Sequence, residues 1–176
     1  MSVSKNIPAA NGDVLSLLTP HSSLKLGIIS DTHGFLDPHV EKIFAGVSHI
    51  LHAGDIGEPM IELELKFIAP VTTVLGNTDL GLNFKLTETL TLGGKKILIH
   101  HIVNPQEPSE ELARQIKRHQ PDVVVFGHTH KPFAATVGGI FYFNPGYAGK
   151  PKLGTERSVA ILHLDGAKIR PEFIGL

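Results

Sequence analysis

The sequence predicts an α/β protein, a four-layer αββα sandwich in which two mixed β-sheets are flanked by helices. In the first two-thirds of the chain, short buried strands alternate with helical segments, which is typical of a sheet covered by helices. In the last third, strands are separated by hairpin turns at Gly138 and Gly139 and at Asp165 and Gly166. Stacking the two resulting sheets between helical layers would bury the faces of both sheets.

The individual elements follow from local patterns. Apolar or alternating runs predict strands at residues 24–30, 48–53, 71–75, 86–92, 95–99, 122–126, 133–137, 140–144, 158–164 and 168–173. Helical spacing and capping residues predict helices that start at Asp37 and Pro38 and end near Gly46, and over residues 58–68 and 109–119.

The length of 176 residues suits one hydrophobic core, so residues 24–176 are predicted to form a single domain. Residues 1–23 contain only one short apolar cluster, at 14–18, and are predicted to be a loosely ordered N-terminal extension. The sequence has neither a secretory-signal pattern nor an apolar run of membrane-spanning length, so we expect a cytoplasmic protein with no membrane partner.

Composition excludes several kinds of site. The formal net charge is −1, which gives no global positive field to attract a nucleic acid, and no nucleic-acid patch is evident. The chain has no cysteine, which excludes a thiolate metal site, a disulfide framework and a cysteine nucleophile. A homo-oligomer is compatible with the sequence.

Five successive strands of the prediction end in side chains that can bind metal ions. They are Asp31 and His33, Asp55, Asn77, His100 and His101, and His128 and His130. The five groups are separated by 22 to 27 residues, about one strand and its connection each. Because the loops at the carboxyl ends of neighbouring strands converge, we expect these side chains to meet at one edge.

The chemistry of this set favours a pair of divalent ions. Histidine nitrogens mixed with carboxylate and amide oxygens, without sulfur, indicate a transition metal rather than calcium. Seven or eight ligands exceed the need of one ion, whereas two ions that share a carboxylate match the count. Glycine precedes three of the groups, at Gly54, Gly76 and Gly127, where the chain must turn sharply off a strand.

These motifs, taken together and in this order, resemble the five-block signature of the calcineurin-like metallophosphoesterases. The likeness runs from about Leu24 to the C-terminus and is closest to the small single-domain bacterial and archaeal phosphodiesterases. The resemblance implies one metal held by Asp31, His33, Asp55 and His130. It implies a second metal held by Asp55, Asn77, His101 and His128, with Asp55 as the bridge.

Two positions depart from the family pattern. Thr78 stands where the larger members have a histidine that is thought to act on the leaving group, although the small phosphodiesterases also tend to lack it. The sequence His100-His101-Ile102 stands where the family commonly has a single histidine followed by glycine. Alignment of the strand assigns the ligand position to His101, with His100 as the alternative.

The resemblance implies a hydrolase, a metal-dependent phosphodiesterase or phosphatase acting on a small phosphodiester or phosphomonoester. A metal-bridging hydroxide would attack phosphorus, with Asp55, Asn77 and His101 as the catalytic residues. Manganese is the ion that we expect, with nickel, iron, zinc, cobalt or magnesium as alternatives.

Two other functions remain open at this point. The same fold serves as a non-catalytic protein-binding scaffold in a subunit of a eukaryotic endosomal sorting complex, and a structural or stored metal would need no turnover.

His52 is interpreted as a packed histidine that could orient Asp55 rather than as a ligand. The segment Asn144-Pro145-Gly146 is predicted to form a turn that supports the site.

Overall fold

The computed structural model describes residues 23–176, which form ten strands and three helices. In chain order these are β1 (Leu24–Ile29), α1 (His39–Ile43), β2 (His49–His52), α2 (Pro59–Lys66), β3 (Val71–Thr73), β4 (Thr87–Leu92), β5 (Lys95–His100), α3 (Glu110–His119), β6 (Val123–Val125), β7 (Phe133–Val137), β8 (Ile140–Asn144), β9 (Ser158–Asp165) and β10 (Lys168–Gly175). The predicted extension at residues 1–23 falls, apart from Ser23, outside the described residues.

The strands form two mixed five-stranded sheets, as predicted. The first sheet has the order β10-β9-β1-β2-β3, in which β1, β2 and β3 are parallel and β9 and β10 are antiparallel to their neighbours. The second has the order β4-β5-β6-β8-β7, in which β5, β6 and β8 are parallel. In each sheet the three parallel strands therefore end at the same edge.

Three clusters of buried side chains define the layers. The cluster between the sheets takes alternate residues of the central strands, such as Leu26 and Ile28 of β1 and Val123 and Val125 of β6. The outer face of the first sheet packs against α1 and α2, through Phe44 and Leu65 among others. The outer face of the second sheet packs against α3 through Leu112. The molecule is thus the predicted αββα sandwich.

Helix α1 is shorter than the sequence predicts. Pro38 precedes it, and the helix ends at Ile43 rather than near Gly46. After Phe44 the backbone hydrogen bonds no longer join residues four positions apart. The Ala45 N–H donates to the carbonyl of Lys42, three residues earlier, which is the pattern of a 3₁₀ turn. The chain then turns through Gly46, whose φ is +79°, into β2. No described helix is long and apolar enough to cross a membrane.

A buried ion pair connects the start of α1 to the loop before β9. The Arg157 Nη2 atom lies 2.7 Å from Asp37 Oδ2, and each side chain is 9% exposed. Arg157 also donates from Nε to the Gly149 carbonyl, and its guanidinium lies 5.5 Å from the centre of the Phe35 ring. The His39 backbone N–H, together with Arg157, lowers the Asp37 pKa to about 2.

We predict that Asp37→Asn lowers the free energy of unfolding at pH 7 by about 2 kcal/mol. The lowered pKa stabilises the fold above pH 4, and this contribution is lost as the pH falls through about 2. In urea unfolding, the difference between wild type and variant should therefore shrink below pH 4. The control is Asp165→Asn, at an exposed turn, which should follow wild type at every pH. A difference for Asp37→Asn that is independent of pH would contradict this assignment.

Candidate metal centre

The predicted ligands lie just beyond the carboxyl ends of the parallel strands. Asp31, Asp55 and Asn77 follow β1, β2 and β3 of the first sheet. His101 and His128 follow β5 and β6 of the second sheet. The stacking of the two sheets places these edges side by side, so loops from both sheets contribute to one cluster.

All seven predicted ligands belong to one continuous cluster of contacts. Asp31 Oδ1 lies 3.2 Å from His130 Nε2 and 4.0 Å from His101 Nε2. Asp55 Oδ2 lies 3.3 Å from His101 Nε2 and 3.8 Å from His33 Nε2. Asn77 Oδ1 lies 2.9 Å from His128 Nδ1, and the His128 ring packs edge-on against His101 with centroids 5.4 Å apart.

Unsatisfied polar atoms in this cluster match the donor set of a cation. Four buried side-chain polar atoms of residues 23–176 have no hydrogen-bond partner, and three of them are Asp31 Oδ1, His33 Nε2 and His101 Nε2. Burying such atoms without a partner is costly, so a ligand is expected to satisfy them. Two groups have donor atoms within 4.8 Å of one another: Asp31, His33 and His130, and Asp31, Asp55 and His101. The residues present therefore fit divalent metal ions.

The structure brings His101, rather than His100, into the cluster. The Nδ1 atom of His101 lies 2.7 Å from the Ala53 carbonyl oxygen, which can only accept, so Nδ1 carries the proton. Nε2 is therefore the ring atom that is available to a metal, in the arrangement typical of metal-bound histidines. His100 pairs with Thr87 in the β4–β5 ladder, and its Nδ1 atom lies 2.9 Å from Thr87 Oγ1.

The two carboxylates have different environments. Burial raises the pKa of Asp31, against the opposing effects of a hydrogen bond from Ser30 and of the nearby His101 and His130. Burial also acts to raise the pKa of Asp55, but hydrogen bonds from Thr78 together with the nearby His101 and His33 outweigh it, and the pKa lies below its usual value. The Thr78 backbone N–H donates to Asp55 Oδ1 at 2.8 Å. These contacts favour the carboxylate form of Asp55.

Backbone strain is concentrated at the predicted ligands. Six non-glycine residues of the described chain have a positive φ, and five of them are predicted ligands: Asp31 (57°), His33 (47°), Asp55 (51°), His128 (67°) and His130 (58°). The left-handed conformation costs such residues about 1 kcal/mol or more each, and it persists only where the surroundings enforce it. The strain is thus concentrated in the loops of the candidate metal centre.

Two glycines permit the close approach of the loops. A Cβ atom at Gly76 would collide with the backbone N and Oδ1 of Asp55. A Cβ atom at Gly127 would collide with Ser30 Oγ and would lie 2.7 Å from Asp31 Oδ2. The predicted requirement for glycine before the ligands is therefore steric at these two positions, whereas at Gly54 the backbone also has a positive φ of 95°.

Two further polar side chains hold the ligand loops together. Asp79 accepts hydrogen bonds from the backbone N–H groups of Ile56, Gly57 and Gly76, and so ties the Asp55 loop to the Asn77 loop. This role of Asp79 was not predicted from the sequence, because Ile56 and Gly57 lie more than 20 residues away from it along the chain. Asn144 behaves as predicted: its Nδ2 atom donates to the Gly127 carbonyl at 2.7 Å.

Tyr147 forms one wall of the cluster. Its ring centroid lies 4.7 Å from that of His130 and 6.1 Å from that of His33, and the residue is 1% exposed. Tyr147 was not among the site residues predicted from the sequence. The signal available was its position directly after the Asn144-Pro145-Gly146 turn.

Comparison with known proteins identifies the family of the chain. The model of the calcineurin-like phosphoesterase superfamily domain matches residues 24–167. A probable metallophosphoesterase of Methanothermobacter thermautotrophicus is 35% identical over 157 residues, covering 85% of this chain and 91% of the relative. Phosphodiesterase YfcE of Escherichia coli K12 is 30% identical over 175 residues, covering 81% and 89%.

A solved structure of similar fold comes from a eukaryote. Wild-type Vps29 of Entamoeba histolytica, complexed with Zn²⁺, superposes with a TM-score of 0.64 at 24% identity, covering 86% of this chain and 99% of that one. At this identity the likeness concerns the fold alone. The family match and the two sequence relatives carry the assignment: the chain belongs to the calcineurin-like phosphoesterase superfamily.

Proposed function

We propose that the protein is a phosphodiesterase that uses two divalent metal ions to hydrolyse a phosphate ester. The observation that carries this proposal is the convergence of seven ligand-type side chains, three of which have buried atoms without a hydrogen-bond partner in the described chain. An anionic phosphate ester is a suitable ligand for a site built to concentrate positive charge. Manganese is the ion that we propose.

The geometry supports a particular division of the ligands. We assign Asp31, His33, Asp55 and His130 to one ion and Asp55, Asn77, His101 and His128 to the other. Asp55 suits the bridging role because its Oδ2 atom faces His33 of the first set and His101 of the second set. The hydrogen bond from the Thr78 N–H fixes its other oxygen.

When bound, the ions supply a water molecule acidified enough to ionise at neutral pH, and positive charge for the transition state. Backbone groups of the protein hold the ligand side chains in position for that chemistry. The Ala53 carbonyl fixes the tautomer of His101, and the His128 N–H donates to Asp31 Oδ2 at 3.1 Å, which fixes this carboxylate. Catalysis in this proposal depends on preorganised groups rather than on a covalent intermediate.

The substrate class follows from Thr78. This side chain cannot protonate a leaving group near neutral pH, and Thr78 is exposed next to Asp55. Leaving groups that depart with little proton assistance should therefore react fastest. Small phosphodiesters with good leaving groups are the substrates that we propose.

The alternative is a non-catalytic protein-binding scaffold, as the likeness to Vps29 suggests. Every predicted ligand position of this chain holds a residue able to bind metal, which favours the enzyme.

A second alternative, a stored or structural metal without turnover, is disfavoured because the site is open. The His33 and His130 side chains are 30% and 34% exposed, whereas closed sites exclude water and substrate.

We predict that Asp55→Asn reduces manganese-stimulated hydrolysis of bis(p-nitrophenyl) phosphate by at least about 100-fold. The substitution removes the charge that both ions would share while it preserves the size of the side chain. Steady-state kinetics with the chelated and the manganese-loaded protein measure the effect. Asp165→Asn serves as the matched control, because this carboxylate is exposed in the β9–β10 turn, and it should retain wild-type rates. Equal hydrolysis by Asp55→Asn and wild type would refute the bridging role.

We also predict that wild type hydrolyses p-nitrophenyl diesters much faster than phenyl diesters, because phenoxide is the poorer leaving group. Thr78→His should raise the ratio of the phenyl-diester rate to the p-nitrophenyl-diester rate by about 100-fold, since it supplies a general acid that only the poorer leaving group needs. Thr78→Gln, of similar size but without a titratable group, is the control. If Thr78→His and Thr78→Gln behave alike, this position does not limit leaving-group departure.

A further inference from the structure

A buried hydrogen-bond chain runs behind the metal centre, on groups that are not predicted ligands. The Gly54 N–H donates to His52 Nδ1 at 3.2 Å, and His52 Nε2 lies 2.9 Å from Thr32 Oγ1. Thr32 Oγ1 in turn donates to the Ile56 carbonyl at 3.0 Å. His52 and Thr32 are both fully buried. We refer to these four groups as the His52–Thr32 chain.

The directions of these hydrogen bonds leave one arrangement of protons. The only proton of the Thr32 hydroxyl goes to the Ile56 carbonyl, so the hydroxyl must accept from His52 Nε2–H. The Nδ1 atom of His52 accepts from Gly54 and is therefore unprotonated. His52 is thus a neutral imidazole of one tautomer, in agreement with a pKa that burial lowers to about 3.

The His52–Thr32 chain contacts the two loops that carry three predicted ligands with a positive φ. Thr32 lies between Asp31 and His33, both of which have a positive φ. The hydrogen bonds to the Gly54 N–H and the Ile56 carbonyl fix the two residues that flank Asp55, which also has a positive φ. Backbone hydrogen bonds connect the same two loops, from the Asp31 N–H to the Gly54 carbonyl and from the His33 N–H to the Asp55 carbonyl.

We propose that His52, acting through Thr32, is a positioning residue that holds Asp31, His33 and Asp55 in their ligating conformations before metal binds. This inference rests on the proposed function, because it concerns ligands of the proposed first ion. Within the described residues, the hydrogen bonds of His52 and Thr32 reach the loops of that set and do not reach Asn77 or His128. Loss of the chain should therefore weaken one of the two ions more than the other.

Two substitutions of His52 distinguish between its two hydrogen bonds, the one from Gly54 and the one to Thr32. His52→Asn places an acceptor near the position of Nδ1, so it can keep the bond from Gly54, but it loses the donor to Thr32. His52→Gln places an amide donor near the position of Nε2 and can restore that donor. The matched control is His49→Asn on the same strand. The Nε2 atom of His49 lies 2.8 Å from Thr72 Oγ1, away from the ligand loops.

The experiment is a titration of the metal-free full-length wild type and variants with Mn²⁺. Binding is measured by calorimetry and by the electron paramagnetic resonance signal of free Mn²⁺. We expect His52→Asn to weaken one of two binding events by about 10- to 100-fold, with His52→Gln and His49→Asn close to wild type. Thr32→Val should reproduce the effect of His52→Asn, and Thr32→Ser should not.

The outcomes distinguish this inference from the proposed function. If wild type binds two ions and His52→Asn binds them equally well, the positioning role is wrong and the proposed function stands. The positioning role is also wrong if His49→Asn weakens binding as much as His52→Asn, since the loss then reflects general destabilisation. Wild-type protein that binds no Mn²⁺ would overturn both.

Discussion

The structure depends on the burial of two carboxylates at one edge of a stacked pair of sheets. Asp31 is fully buried and Asp55 is 3% exposed, and both lie within 4.0 Å of His101 Nε2. Charges of the same sign at this depth need a cation or protons to compensate them. This constraint accounts for the surrounding histidines, the unsatisfied polar atoms and the glycines that let the loops approach.

The fold supplies this arrangement through parallel strands. β1, β2 and β3 end together in one sheet and β5 and β6 in the other, so short loops can deliver ligands from widely separated parts of the chain. Residues in the left-handed conformation then turn the ligand side chains toward the site. This conformation costs free energy, which packing and hydrogen bonds in the surrounding structure offset. Asp79, Asn144 and the His52–Thr32 chain provide much of that support from the protein interior.

The sequence predicted the architecture and the cluster because both depend on local signals. Apolar strands followed by glycine and a polar ligand recur at Gly54, Gly76 and Gly127, and the hairpins carry their own turn residues. The side-chain hydrogen bonds and ion pairs outside this cluster were not predictable in this way. The Asp37–Arg157 pair spans 120 residues, and the partner of His52 lies 20 residues away on another loop. The end of α1 was misplaced because the change to shorter hydrogen bonds after Phe44 leaves no clear pattern in the sequence.

Anomalous X-ray scattering from crystals soaked in manganese chloride tests the central claim most directly, because it locates the ions without reference to activity. The account predicts two peaks about 3.5–4 Å apart on either side of Asp55. One peak should contact Asp31, His33 and His130, and the other should contact Asn77, His101 and His128. A single peak, or peaks that do not contact Asp55, would contradict the dinuclear centre.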